Sequence, residues 1–176
     1  APDERRSPSY AARVPTRQWP RGQWRGVIDS ERFTLLRTLE FFNNFGDVEL
    51  WEVVHRAKWQ RFHFGHALYR KGEEGNSFHI IAQGEVEVFR DGKKVVKLGS
   101  GTSVGEMASL ARSAELQKHS TDVIVTEPAT TTSFTPDKLS QLRPNTPYLF
   151  YDSLIQVLVP RLQSGHAQLA PPRRTF

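Results

Sequence analysis

A chain of 176 residues, 38% of them hydrophobic, is long enough for one cored domain with tails. It has no cysteine, which excludes a disulfide framework and a thiolate metal site and suits a reducing, cytoplasmic setting. Its net charge of +5 sits at the ends. Residues 1–26 hold six arginines against Asp3 and Glu4, Arg173 and Arg174 close the chain, and 27–170 sum to −1, so no basic nucleic-acid face is expected on the folded part. No apolar run reaches membrane-spanning length and no signal-peptide pattern opens the chain. It starts without methionine, so it is expected to be a piece of a longer protein.

Residues 1–26 carry Pro2, Pro8, Pro15 and Pro20 without a hydrophobic period, and are read as a linker or extended arm. Trp19 and Trp24 are unusual in a linker and are expected to pack on the domain or a partner. From 27 to 166 the pattern is that of a folded domain. Ser30 is placed as the cap of a helix with Phe33, Leu36, Leu39 and Phe42 spaced three apart. Asn43 to Gly46 breaks it, and Asp47 is placed as the cap of a second short helix containing Leu50, Trp51, Val53 and Val54.

Past Lys58 the period changes to that of strands. Trp59–Phe64, Ala67–Tyr69, Phe78–Gln83, Glu85–Arg90, Lys94–Leu98, Val123–Val125 and Thr130–Phe134 are expected to be extended, with Asp91-Gly92 a hairpin turn. Short strands this close together argue for a mainly β fold, a jelly-roll barrel flanked by helices. Pro136 and Asp137 open a short helix holding Leu139 and Leu142. Pro144 and Pro147 introduce a last helix with Tyr151, Leu154, Ile155, Leu158 and Leu162 in helical period. Pro160 is expected to kink that helix or end its regular part, and Gly165 to close it. Residues 167–176 are read as a tail.

The most informative stretch is Gly99-Ser100-Gly101-Thr102-Ser103-Val104-Gly105-Glu106-Met107-Ala108-Ser109-Leu110. Glycines free the backbone, and the residues after Gly105 favour a helical turn, an arrangement that presents free N–H groups to an anion. Glu106 would repel a bare phosphate. It fits if it accepts a hydrogen bond from a hydroxyl beside that phosphate, which suggests a ligand carrying a phosphate next to a ribose hydroxyl.

Gly101 to Leu110 resembles the phosphate-binding cassette of the cyclic nucleotide-binding domain family, with Val104 in place of the family's phenylalanine. Phe64 to Val88, with Gly65, Gly72, Gly75 and Gly84, is similar to the family's barrel signature. The resemblance covers about residues 39–162. It implies a double-stranded β-helix (jelly roll) with N-terminal helices and a C-terminal lid helix, binding cAMP or cGMP and no other cofactor. It also implies that Gly105, Glu106, Met107, Ala108 and Ser109 hold the ligand, with backbone N–H groups on the cyclic phosphate and Glu106 on the 2′-hydroxyl.

The sequence departs from the family where an arginine should pair with the phosphate. That place holds His119, followed by Ser120, Thr121 and Asp122. An imidazole is mostly neutral at pH 7 and cannot form the bidentate fork of an arginine, a loss worth about 2–3 kcal/mol. Lys118 or Arg112 could supply charge instead. Ser120 stands where the family sometimes uses a hydroxyl to favour guanine.

Other chemistry is less well supported. His63 and His66 with His79 resemble metal ligands only loosely in spacing. Gly101-Thr102-Ser103-Val104-Gly105 spells a nucleophile-elbow pattern but has no identifiable base. The chain is therefore expected to be non-catalytic. The resemblance implies a sensor whose last helix signals to an attached effector or forms a homodimer. Phe41-Phe42 and Leu50-Trp51-Glu52-Val53 are similar to bacterial domains of this family fused to Ser/Thr protein kinases. The alternative is a degenerate member that binds no nucleotide and serves as a docking or dimerisation module. A helix-turn-helix of the catabolite-activator type does not fit into Ala167 to Phe176, so no DNA binding is expected from this chain.

Overall fold

The computed structural model describes residues 29–169, with side chains to residue 163. The arm over 1–26, with Trp19 and Trp24, and the end of the tail lie outside the described residues. Helix α1 (Asp29–Arg37), a 3-10 turn (Glu40–Phe42) and helix α2 (Asp47–Arg56) precede the sheet. Six strands follow: β1 (Lys58–Phe62), β2 (Ala67–Tyr69), β3 (Phe78–Arg90), β4 (Lys93–Leu98), β5 (Ser103–Val104) and β6 (Asp122–Phe134). Helix α3 (Glu106–Ser109) lies between β5 and β6, and α4 (Pro136–Ser140) and α5 (Thr146–Leu169) close the chain. The pairings are antiparallel, in the order β1-β6-β3-β4, with β2 on β6 and β5 on β3. This is the expected jelly roll with flanking helices.

Two expectations about strands are corrected. Phe78–Gln83 and Glu85–Arg90 form one strand, as do Val123–Val125 and Thr130–Phe134. The glycine and the proline that suggested breaks produce irregular register instead. Gly84 sits in β3 at φ +88°, and a side chain there would strike the Pro128 carbonyl oxygen. The two long strands therefore bend together without parting. Asp91 and Gly92 both take positive φ, as a type I′ hairpin turn requires.

The helix ends are also corrected. Ser30 lies inside α1, which already includes Asp29, and is not its N-cap. Gly46, not Asp47, is the N-cap of α2; the Asp47 carboxylate instead takes a charged hydrogen bond from Arg37. Helix α5 runs through Pro160 and Gly165 to Leu169.

The core has two parts. Inside the barrel, Tyr69, Ile81, Val86, Val104, Val123 and Val125 pack together. At the helical end, Leu36, Phe42, Phe45, Leu50 and Val53 meet Phe78, Phe134, Phe150 and Leu154. Phe150 is fully buried and contacts five phenylalanine rings, the nearest, that of Phe134, at 4.8 Å between centroids. It fixes the start of α5. Glu52 of α2 adds polar anchoring: its carboxylate accepts from the Arg143 amide (3.0 Å) and the Thr146 hydroxyl (2.7 Å). Helix α5 thus leaves the helical cluster on a fixed line and passes the barrel at α3.

Candidate ligand-binding site

The cassette is built on two close approaches. Gly105 follows β5 and caps α3 in the left-handed region (φ +84°), and an added Cβ would lie 2.5 Å from the Tyr69 hydroxyl oxygen. Gly75 meets the other side of α3, where an added Cβ would lie 2.3 Å from that of Ala108. Only glycine allows both contacts. The loop before them is tied to β3: the Gly101 amide donates to the Ile81 carbonyl (2.8 Å), and the Ile81 amide to the Thr102 carbonyl (2.9 Å).

The predicted residues do not share one environment. Ala108 and Ser109 are buried under the cassette, whereas the Met107 side chain is 72% exposed. Glu106 is 5% exposed, unusual for a carboxylate, with Oε2 making no hydrogen bond. Desolvation by burial raises its pKa, against the opposing pull of its own amide, Arg161 and Ser103.

His119 approaches Gly75 on the side where Ala108 packs and does not face solvent. Its ring stacks on Tyr69 (centroids 3.9 Å, 27°), it is 7% exposed, and its Nε2 has no partner. Its backbone is fixed in both directions: its amide donates to Glu73 and its carbonyl accepts from Gly72. Burial lowers the imidazole pKa, with Glu73 acting weakly the other way, so the ring is neutral at pH 7. Ser120 is exposed. The Asp122 carboxylate accepts from the Lys71 amide (2.9 Å).

The sequence pointed to Lys118 or Arg112 as sources of charge. Both are exposed and line an open cavity of about 1050 Å³ with Glu74, Asp137 and Tyr151, a hollow that reaches Gly75 and Ser109 of the cassette but not Gly105, Glu106 or His119. The cation at the cassette is instead Arg161 of α5. Its Nη1 donates to Glu106 Oε1 (3.1 Å) and its Nη2 to the Ser103 carbonyl (2.8 Å). The sequence held a signal for it. Arg161 falls four residues after Val157 and seven after Leu154, on the barrel-facing side of the helix.

Residues 59–145 match the family described as cyclic nucleotide-binding domain. Residues 59–145 form a domain of the cyclic nucleotide-binding family. A solved cyclic nucleotide-binding domain from Methylobacillus flagellatus superposes with a TM-score of 0.68 at 20% identity, covering 84% of this chain and 85% of that one. A regulatory subunit of a cAMP-independent protein kinase A from Trypanosoma brucei gives 0.61 at 22% identity, covering 77% and 46%. Among curated relatives, a cAMP-dependent protein kinase regulatory subunit of Yarrowia lipolytica is 33% identical over 67 residues, 38% of this chain and 18% of that protein. The chain thus matches less than a fifth of that relative's length.

Among the described residues no cluster of side chains could hold a metal ion, and no helix is long and apolar enough to cross a membrane.

Proposed function

We propose that this domain is a sensor that binds cAMP or cGMP at the Gly105–Ser109 cassette and passes the change through α5 to an attached effector. The observation that carries this reading is Glu106: a carboxylate 5% exposed beside a left-handed glycine, with one oxygen lacking a hydrogen-bond donor. A buried acceptor without a donor costs about 1–3 kcal/mol, which a ligand hydroxyl would relieve. Binding, not catalysis, suits a site with a buried acid and no nucleophile–base pair.

The ligand phosphate would lie on the α3 amides, with His119 and Ser120 at its edge. Because His119 is neutral, affinity is expected to be modest, in the micromolar range or weaker. The effector would be a separate domain of the same protein, of which a Ser/Thr kinase is one form, in a cytoplasmic setting. Tyr151, Ile155, Val159 and Leu162 form an exposed stripe along α5 that would contact the effector or a second copy. Sedimentation of the chain at increasing concentration checks the second copy.

The test of the site is calorimetric titration with each cyclic nucleotide. Wild type is expected to bind and Glu106→Gln to lose at least tenfold in affinity. Equal binding by the two proteins would remove Glu106 from the site. Absence of binding by wild type, with α5 retaining a partner surface, would favour the docking-module alternative.

A further inference from the structure

Helices α1 and α2 run antiparallel, and three contacts set their register. Asp29 Oδ2 stands 3.5 Å from His55 Nε2, Phe33 stacks on Trp51 (centroids 4.6 Å, 23°), and Arg37 pairs with Asp47. The outer side of this pair is not an ordinary solvated face. Trp51 is stacked on both Phe33 and His55 yet stays 37% exposed, and Val48, one turn before it, is 50% exposed. A carboxylate open to water stands at either end of this apolar patch, Asp29 at 47% and Asp47 at 78% exposure. Along the two helices the face therefore reads acid, aromatic, acid.

The described chain begins at one end of that face, at Asp29. The residues before it carry the opposite pattern, Arg21, Trp24 and Arg25, within a stretch of 26 residues that holds six arginines against Asp3 and Glu4. Helix α2 has the reverse balance, with Asp47, Glu49 and Glu52 against Arg56. The distances also fit. Five residues separate Trp24 from Asp29, a reach of ~17 Å when extended, whereas Phe33 is only ~6 Å of helix rise beyond Asp29. Gly26 supplies a turn residue between them. A chain turned back there brings Arg25 level with Asp29, Trp24 level with the Phe33–Trp51 pair, and Arg21 level with Asp47.

We infer that the outer face of α1 and α2 is the docking site of the chain's own residues 21–25, with Trp24 seated on the Phe33–Trp51 pair beside Val48 and Arg25 and Arg21 on Asp29 and Asp47. The tether at Asp29 makes this contact intramolecular, with an effective concentration on the order of millimolar, so a small contact area suffices. Its place in the fold gives it a consequence. Glu52, the residue after Trp51, holds the Arg143 amide and the Thr146 hydroxyl, so the arm docks on the helix that also anchors the start of α5. None of this depends on what the cassette binds.

Nuclear Overhauser spectroscopy of the full chain, with tryptophan and valine selectively labelled, tests the contact directly. Cross-peaks are expected from the Trp24 ring to the Val48 methyls and the Trp51 ring. Their absence overturns the docking, and cross-peaks from Trp19 in their place overturn its assignment to residues 21–25. Mixing differently labelled copies separates the occupants: Trp24 cross-peaks that appear only between copies make a second chain the occupant and overturn the intramolecular contact. Arg21→Glu together with Arg25→Glu should weaken the cross-peaks at least twofold while the amide shifts of β1 to β6 stay in place. Unchanged cross-peaks in that variant overturn the charge match.

Discussion

At the level of single residues, the site depends on two glycines and two charges. Gly105→Ala would place a methyl group in the left-handed region and against Tyr69, so it should destabilise the domain by about 2–4 kcal/mol, read from urea unfolding. Gly92→Ala, at positive φ with open space around it, should cost only about 1 kcal/mol, which separates backbone strain from collision. Gly105 and Glu106 were legible in the sequence as a loop entering a helical turn, whereas the approach of Gly75 to Ala108 was not. Arg161 was not. It is 55 residues from Glu106 along the chain, and only the path of α5 brings the two together. The setting of His119 was not legible, because stacking on Tyr69 depends on how β2 and β6 pair.

At the level of elements, helix α5 owes its line to the aromatic cluster. Phe150→Ala should cost about 3–5 kcal/mol of stability and also loosen the Arg161 contact, measured together by urea unfolding and exchange over residues 157–163. Glu52→Ala removes an acceptor shared by the Arg143 amide and the Thr146 hydroxyl and should cost about 1–2 kcal/mol. The helices and most strands could be read from period and turn residues. Besides the caps at Ser30 and Asp47, errors fell at Gly84, Pro128 and Pro160, where local breaking propensity yields to tertiary packing. A bulged strand satisfies its backbone against a bulged neighbour, and a docked helix tolerates one missing donor.

At the level of the whole molecule, the barrel interior carries two neutral imidazoles. Burial, helped by Lys58 and His119, holds the His79 pKa down to about 4, and its Nδ1 shares a hydrogen bond with Thr131 (2.8 Å). An unfolded histidine takes its proton near pH 6.5. Stability should therefore be level above that pH, fall as pH drops through 6.5, and level off near pH 4, with roughly 3 kcal/mol lost to His79 alone. His119 acts in the same direction. Glu106, with its pKa raised, acts in the opposite direction and offsets part of the loss at the acid end. Urea midpoints at pH 7.5, 6 and 4.5 check this, and His79→Gln should flatten the profile.

The central claim is that a cyclic nucleotide occupies the cassette, and amide-resolved NMR titration of the isotope-labelled chain with 3′,5′-cyclic AMP and cyclic GMP tests it most directly. The predicted result is saturable shifts concentrated at Gly105 to Ser109, at His119 and at α5 around Arg161, with the start of α5 unmoved. Spectra unchanged at millimolar nucleotide, or shifts at Arg112 and Lys118 that leave Gly105, Glu106 and His119 unmoved, would contradict it.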